Sequence, residues 1–432
     1  MTLPNILYIH SHDTGRMVQP YGAAVATPHI QRLAEQGTLF RQAFSMAPTC
    51  SPSRAALLTG QAPHSAGMLG LAHRGFDLSD TQQHLVHTLK SVGYHTALVG
   101  IQHVARDPAT IGYDQILTLP NSHAMHVAPA AAAFLQAPPT TPFFLDVGFF
   151  ETHREFPPAD QPPNYTAPPP GLPDTPETRA DMAAYHASAH TLDQGIGQVL
   201  AALDANGLTE QTLIICTTDH GIAFPGSKCT LTDRGIGVML ILGGIALVQG
   251  GRVIDSLVSQ IDLFPTICEL IGMAPPAWLQ GRSLVPLLNK TTTQINQSIY
   301  AEVSYHAAYE PQRAIRTYRW KYIRRYGSRR TPVLPNCDDS PSKDVLLANG
   351  WAEQNLPTEQ LYDLAFDPHE ANNLAESPDH AAILADLRVQ LHEWMRSTDD
   401  PLLAGYVPAP AGVVVNNPAG ISPNEPTRPA VQ

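Results

Sequence analysis

Positive charge is scarce in this chain. Only 26 Lys and Arg stand against 38 Asp and Glu, for a formal charge of −12, which excludes a broad nucleic-acid-binding surface. Cysteine is scarcer still. The five present (Cys50, Cys216, Cys229, Cys268 and Cys337) are odd in number and show no C-x-x-C spacing, so neither a disulfide framework nor a zinc ribbon is supported. No stretch approaches the roughly 18 consecutive apolar residues of a membrane-spanning helix. No basic segment followed by an apolar run precedes the first strand-like residues, Asn5 to Ile9. The expectation is a soluble, cytoplasmic protein with no membrane partner. Internal repeats are absent too.

What is there is enough for a large core. Hydrophobic residues make up 43% of 432 positions, and that length allows about three domains, or one large α/β enzyme that takes most of it. Apolar runs at Ile6–Ile9, Thr96–Val99, Phe143–Val147 and Thr212–Cys216 suit buried parallel strands. A shorter strand is expected at Thr38–Phe40. Helical spacing at Ile30–Ala34, at Leu85–Val92 and from about Arg179 to Ala205 alternates with them, which predicts a doubly wound, mostly parallel sheet. Nine of the 40 prolines fall between Glu155 and Pro176. That stretch reads as an extended surface loop beside His153, either walling the substrate entrance or simply crossing the surface. Beyond about residue 290 the texture changes. Ala301–Ser304 and Ala314–Arg325 read as strands of a smaller antiparallel sheet, with a helix at Ala381–Arg396 packed on it. The boundaries expected are 1–290 for a catalytic domain, 291–405 for a C-terminal subdomain and 406–432 for a disordered Pro/Ala-rich tail.

Chemistry concentrates at strand ends, where sites of open α/β sheets collect. His12-Asp13 follows the first strand, His153 the third and Asp219-His220 the fourth. Between them lies Cys50-Ser51-Pro52-Ser53-Arg54-Ala55-Ala56-Leu57-Leu58-Thr59-Gly60. Pro52 fits a first helical turn and Gly60 a helix end. Cys50 is thus expected just before a helix N-terminus, where free N–H groups favour an anion, with Arg54 adding a cation one turn on. The cluster of eight Arg and Lys between Arg313 and Arg330 reads as a solvated edge hairpin, or as a device that steers an anionic substrate.

The Cys50–Gly60 string resembles the sulfatase signature C-x-P-S-R-x-x-x-L-T-G without a mismatch. His12-Asp13-Thr14-Gly15 and Asp219-His220-Gly221 stand where that family has its two metal segments, and Gly100-Ile101-Gln102-His103 where it has Gly-Lys-x-His. Met68–Leu71, Thr152-His153-Arg154 and Gly221–Pro225 look most like the heparan N-sulfatase branch. Leu361–Leu364 with Asp367-Pro368 and Asn373-Leu374 is similar to the family's C-terminal segment. The resemblance runs from about Asn5 to Leu374.

It implies an alkaline phosphatase-like α/β fold and oxidation of Cys50 to formylglycine by a formylglycine-generating enzyme. The aldehyde hydrate then attacks the sulfur of a small anionic substrate, a sulfated or N-sulfated sugar. Arg54, His103, His153 and Lys228 join Cys50 in catalysis. Asp13, Asp219, His220, His12 and the modified Cys50 hold one divalent ion, Ca²⁺ in the family. Two imidazoles in that set move it toward Mn²⁺ or Zn²⁺, unless His12 points away from the ion. Gln102, Arg154 and Lys228 contact the substrate, Gln102 as a neutral donor because Ile101 replaces the family lysine. Homo-oligomers are compatible with all of this. Two alternatives stay open: a phosphonate monoester hydrolase or phosphodiesterase using the same nucleophile, and a non-catalytic sulfosugar-binding protein.

Overall fold

A computed structural model describes residues 3–430. Its centre is an eight-stranded sheet. In spatial order the strands are Gln115–Leu117, His95–Gly100, Phe143–Gly148, Asn5–Ser11, Thr212–Thr218, Leu240–Gly244, Thr38–Phe40 and Arg252–Ile254. All neighbours run parallel except Leu240–Gly244, which is antiparallel to both strands beside it. Along the first strand Ile6 and Tyr8 face one core while Leu7 and Ile9 face the other, the period-two alternation of a sheet covered on both sides. Pro176–Ala205 and Ala124–Gln136 cover one face. Leu192, Ile196, Val199 and Leu203 of the long helix are all fully buried, each contributing about 1.5–3 kcal/mol. That helix starts three residues earlier than expected, because Pro176 fits its first turn and the Thr175 side chain caps it.

The register places the site. Ile9 lies opposite both Val147 and Cys216, and Ser11 opposite Thr218. The residues that leave the first strand, Thr212–Thr218 and Phe143–Gly148 therefore emerge side by side at one edge. Cys50–Thr59 forms a helix whose ten residues are all buried, ending at Gly60 with φ of 69°. Cys50 is its first residue rather than the one before it, and Pro52 is the third. A proline there still removes only an N–H that has no helical partner.

The second sheet has four antiparallel strands, Ser298–Tyr305, Tyr309–Thr317, Trp320–Arg325 and Glu359–Asp363. A turn at 318–319 divides the run expected as one strand. Helix Ala381–Ser397 packs on the sheet through Leu384, Leu387, Leu391 and Met395. The basic cluster is only in part the solvated hairpin expected: Arg319, Arg324 and Arg329 are exposed. Its strands are interior to the sheet, and three of its charges are matched inside the fold. Arg313 pairs with Asp400 at 2.6 Å and Glu302 at 3.1 Å, Arg316 with Asp233 at 3.1 Å, and buried Lys321 with Asp233 and Glu370. The tail expected to be disordered is ordered: Val407, Val413 and Val415 lie in the main core, and Val414–Val415 pairs with Arg428–Pro429. Its few valines recur at positions that meet the other core residues, a pattern that overall composition hides.

Glu302 also binds His64 Nδ1, at 2.9 Å from both carboxylate oxygens. Burial pulls the His64 imidazole down, but the carboxylate outweighs it and holds the ring above its usual 6.5. A raised folded-state value stabilises the fold below the unfolded value and is lost as pH rises through the folded one. Unfolding free energy will therefore fall as pH increases above about 6.5, at most about 1.4 kcal/mol per pH unit from this group. Denaturant titrations of the wild type and His64→Gln between pH 6 and 8 check it. The slope attributable to His64 must disappear in the variant.

Candidate active site

At the end of the first strand Asp13 takes a left-handed backbone, φ 52°, with its N–H donating to Asp219 Oδ1 at 2.8 Å. Asp tolerates this conformation better than most residues. Asp219 also accepts from the His220 N–H at 2.9 Å and from Arg54 Nη2 at 3.0 Å. Burial would raise the Asp219 carboxyl, yet His220, Arg54 and His12 together hold it well below the usual range. Arg54 is tied to this scaffold through both terminal nitrogens, while its buried Nε has no partner. Besides Asp219 it donates to the Ser11 carbonyl at 2.8 Å and to His10, whose Nε2 reaches Asp146 at 2.8 Å. Arg54 is absent from the cleft lining. It places its charge under the site, beside Asp219 and near Cys50.

The Cys50 sulfur lies 3.4 Å from His220 Nε2 and 4.0 Å from Asp13 Oδ1. Burial pushes the thiol well up, Asp13 and Asp219 push the same way, and Lys228 and Arg54 do not offset them. An unmodified Cys50 is a neutral thiol and a poor nucleophile. His220 Nδ1 donates to the Gly221 carbonyl at 2.9 Å, so in the neutral ring Nε2 carries a lone pair facing Asp13 Oδ1 at 3.2 Å. Two acceptors that close call for a cation or a proton between or beside them. His12 is buried, and neither of its ring nitrogens makes a hydrogen bond, although Nδ1 lies 3.2 Å from Asp219 Oδ2. Ligand atoms of His12, Asp13, Cys50 and Asp219 all lie within 4.8 Å of one another. These orphaned nitrogens and crowded carboxylates fit a divalent ion.

A cleft of about 290 Å³ opens over Cys50. Lys228 Nζ enters it, held by Asp13 at 2.8 Å and Asp338 at 3.0 Å. Burial opposes its charge, but these two carboxylates push its value well up and keep it cationic. His153 Nδ1 donates to the Arg154 carbonyl at 2.6 Å, which turns Nε2 toward Lys228 Nζ at 3.5 Å. His103 closes the floor, with its ring centre 5.7 Å from that of His12. Cys50, His103, His153 and Lys228 are thus brought together as expected.

Two residues expected to contact the substrate are engaged by the protein itself. Gln102 folds back on its own loop, accepting from Val104 N–H at 2.5 Å and donating to the Ala105 carbonyl at 2.8 Å. Arg154 borders the cleft, but Asp181 takes both its terminal nitrogens, at 2.7 and 2.8 Å, and the Ala223 carbonyl its Nε. Its guanidinium also lies over Phe156 and Phe224, leaving it a wall. Of the proline-rich stretch only Glu155 borders the cleft. Three further lining residues, His73, His306 and Asp338, are not legible in the sequence as site residues. Asp338 carries the only visible signal, an acidic pair just before the Ser340 cap of helix Pro341–Ala348.

Residues 4–273 match the profile of the sulfatase family, and 228–344 that of the N-sulphoglucosamine sulphohydrolase C-terminal region. The chain belongs to the sulfatase family. This sulfatase is 31% identical to human N-sulphoglucosamine sulphohydrolase in an alignment covering 95% of this chain and 92% of the human protein. An ulvan-active sulfatase of Formosa agariphila is 27% identical over 92% of this chain and 75% of its own. Among solved structures, a 2-O GAG sulfatase superposes with a TM-score of 0.75 at 20% identity, covering 98% of this chain and 99% of that one. Another, in complex with its substrate D-glucosamine-2-N,6-O-disulfate, gives 0.74 at 18% identity, covering 93% and 99%. These neighbours share the large mostly parallel sheet and the C-terminal antiparallel sheet. The protein is a sulfuric ester hydrolase. No helix among the described residues is long and apolar enough to cross a membrane.

Proposed function

We propose that this sulfatase removes sulfate from a sulfated or N-sulfated sugar, with Cys50 matured to formylglycine and a divalent ion held by Asp13, Asp219 and His220. The observation that carries the reading is the position of the Cys50 sulfur, at the floor of a cleft between a buried carboxylate–imidazole cluster and the Lys228–His153 pair. Formylglycine as its hydrate supplies an oxygen nucleophile, and a divalent ion supplies positive charge against that oxygen and the sulfate. The chain's own residues do the rest. Lys228, kept cationic by Asp13 and Asp338, binds the sulfate anion. His153 presents Nε2 at the cleft mouth, where it exchanges a proton with the departing oxygen or nitrogen. His103 moves a proton at the floor. Arg54, locked by Asp219 and the Ser11 carbonyl, fixes the carboxylate that orients Asp13.

A cleft of about 290 Å³ sits at the small end of ligand sites, which favours one terminal sugar over an internal stretch of chain. The human relative is named for N-sulphoglucosamine, and one structural neighbour holds glucosamine-2-N,6-O-disulfate, so sulfamate and sulfate ester sugars are the first substrates to try. Activity toward N-sulfoglucosamine, glucosamine 6-sulfate and a phosphodiester, on protein co-produced with a formylglycine-generating enzyme, tests the reading. Turnover of the phosphodiester alone would overturn it.

Nitrogen ligands set the choice of ion. His220 Nε2 and the orphaned His12 nitrogens suit Mn²⁺ or Zn²⁺ better than the oxygen-seeking Ca²⁺ of the family. Chelation with EDTA will abolish turnover, and Mn²⁺ or Zn²⁺ will restore it. Elemental analysis of protein purified without added metal checks this. Calcium alone, with full activity, contradicts the wider metal choice.

A further inference from the structure

His73 has no part in the reaction as just described, yet it touches a residue that does. Its Nδ1 lies 3.1 Å from His103 Nε2. The two ring centres are 5.4 Å apart and the planes differ by 9°. Imidazoles reach that combination only when the nitrogen–nitrogen line runs through both ring centres. Face-to-face rings would bring their centres closer, and offset rings would hold their nitrogens farther apart. The pair is therefore coplanar and in line, so a proton crosses between the rings without either one turning. His103 Nδ1, at the other end, is buried without a hydrogen-bond partner, and one ring nitrogen of His103 lies within 4.8 Å of the Cys50 sulfur. His73 is exposed on the cleft wall, with its carbonyl held by Arg106 at 3.3 Å.

We propose that His73 is a proton relay linking half-buried His103 to solvent. It rests on the function proposed above, in which His103 takes and returns a proton. When His103 gains a proton at Nδ1, its Nε2 proton passes to His73 Nδ1, and His73 releases its own Nε2 proton to water. Both rings end neutral with their tautomers inverted. Returning the proton from His103 Nδ1 runs the sequence backwards, with water as donor, and resets the pair. With Nδ1 unpartnered and Nε2 paired to His73, a proton that enters at one end of His103 has an outlet at the other. His73 acts on the reaction through His103, so it is a positioning and transfer residue.

The test uses the matured full-length enzyme and the variants His73→Ala and His73→Gln. Both should fold, since the side chain is exposed, and thermal melts verify it. With N-sulfoglucosamine, kcat should fall about 100-fold in both variants with KM essentially unchanged. Added imidazole should restore His73→Ala saturably and leave wild type unaffected. Wild-type kcat in the variants, or a loss that imidazole does not repair, overturns the relay. Ring-¹⁵N NMR tests the contact without turnover: the His103 Nε2 signal must shift in His73→Ala, and an unmoved signal also overturns it. A wild-type enzyme that releases no sulfate while keeping that NMR contact instead marks failure of the function reading.

Discussion

Replacing Cys50 with alanine will reduce sulfate release by roughly 10⁵- to 10⁶-fold, the loss expected when a covalent nucleophile is removed, and leave the fold intact. Alanine is the best helix former and Cys50 opens a helix. The lost sulfur leaves a small void beside His220 and Asp13, costing on the order of 1 kcal/mol. Sugar binding should persist, because Lys228 is held by Asp13 and Asp338 and not by Cys50. The measurement is sulfate release together with isothermal titration of substrate. Wild-type protein left as the free thiol should behave like the alanine variant: buried among carboxylates, that thiol stays neutral at working pH. Mass spectrometry across Cys50 then has to show activity tracking conversion of CH₂SH into CHO. Full activity with the thiol unconverted would move the chemistry to Cys50 itself and end the formylglycine reading.

Where the sequence was legible, the information was local. The helix that carries Cys50, its glycine stop and the strand ends bearing His12-Asp13, His153 and Asp219-His220 each follow from a few adjacent residues. Side-chain direction does not. Gln102 and Arg154 sit beside the cleft residues His103 and His153, but Ala105 and Asp181 capture them. Asp181 lies on the long helix, and no spacing rule connects it to Arg154. His73 reaches His103 across 30 residues, and Asp338 reaches Lys228 from the C-terminal part of the chain, each through loops without periodicity. The basic cluster misled for the same reason. Arg313, Arg316 and Lys321 read as solvated because their partners, Glu302, Asp400, Asp233 and Glu370, are scattered along the chain. Charge counted along a sequence cannot see such pairing.

Asp219→Asn separates structure from chemistry at the centre of the site. Asparagine keeps the shape and one acceptor oxygen, so it can still take the Asp13 and His220 N–H groups. It cannot neutralise Arg54, whose other partners are the Ser11 carbonyl and His10. Stranding a buried charge in this way costs about 3–5 kcal/mol, which lowers Tm by roughly 3–6 °C in a chain of this length, the smaller figure where the retained oxygen still accepts from Arg54. Sulfate release should drop at least 10³-fold, roughly the scale of a lost electrostatic group, and bound metal should fall with it. The second substitution tells the two losses apart. Arg54→Met in the Asp219→Asn background removes the stranded charge, so much of the lost stability returns and the two changes are far from additive. Activity does not return, because the carboxylate that oriented Asp13 and faced His12 is still missing. Thermal melts, metal content and sulfate release on the two single variants and the double complete the cycle. Recovery of activity along with stability would mean that Asp219 serves only to hold Arg54, and that the ion is bound without it.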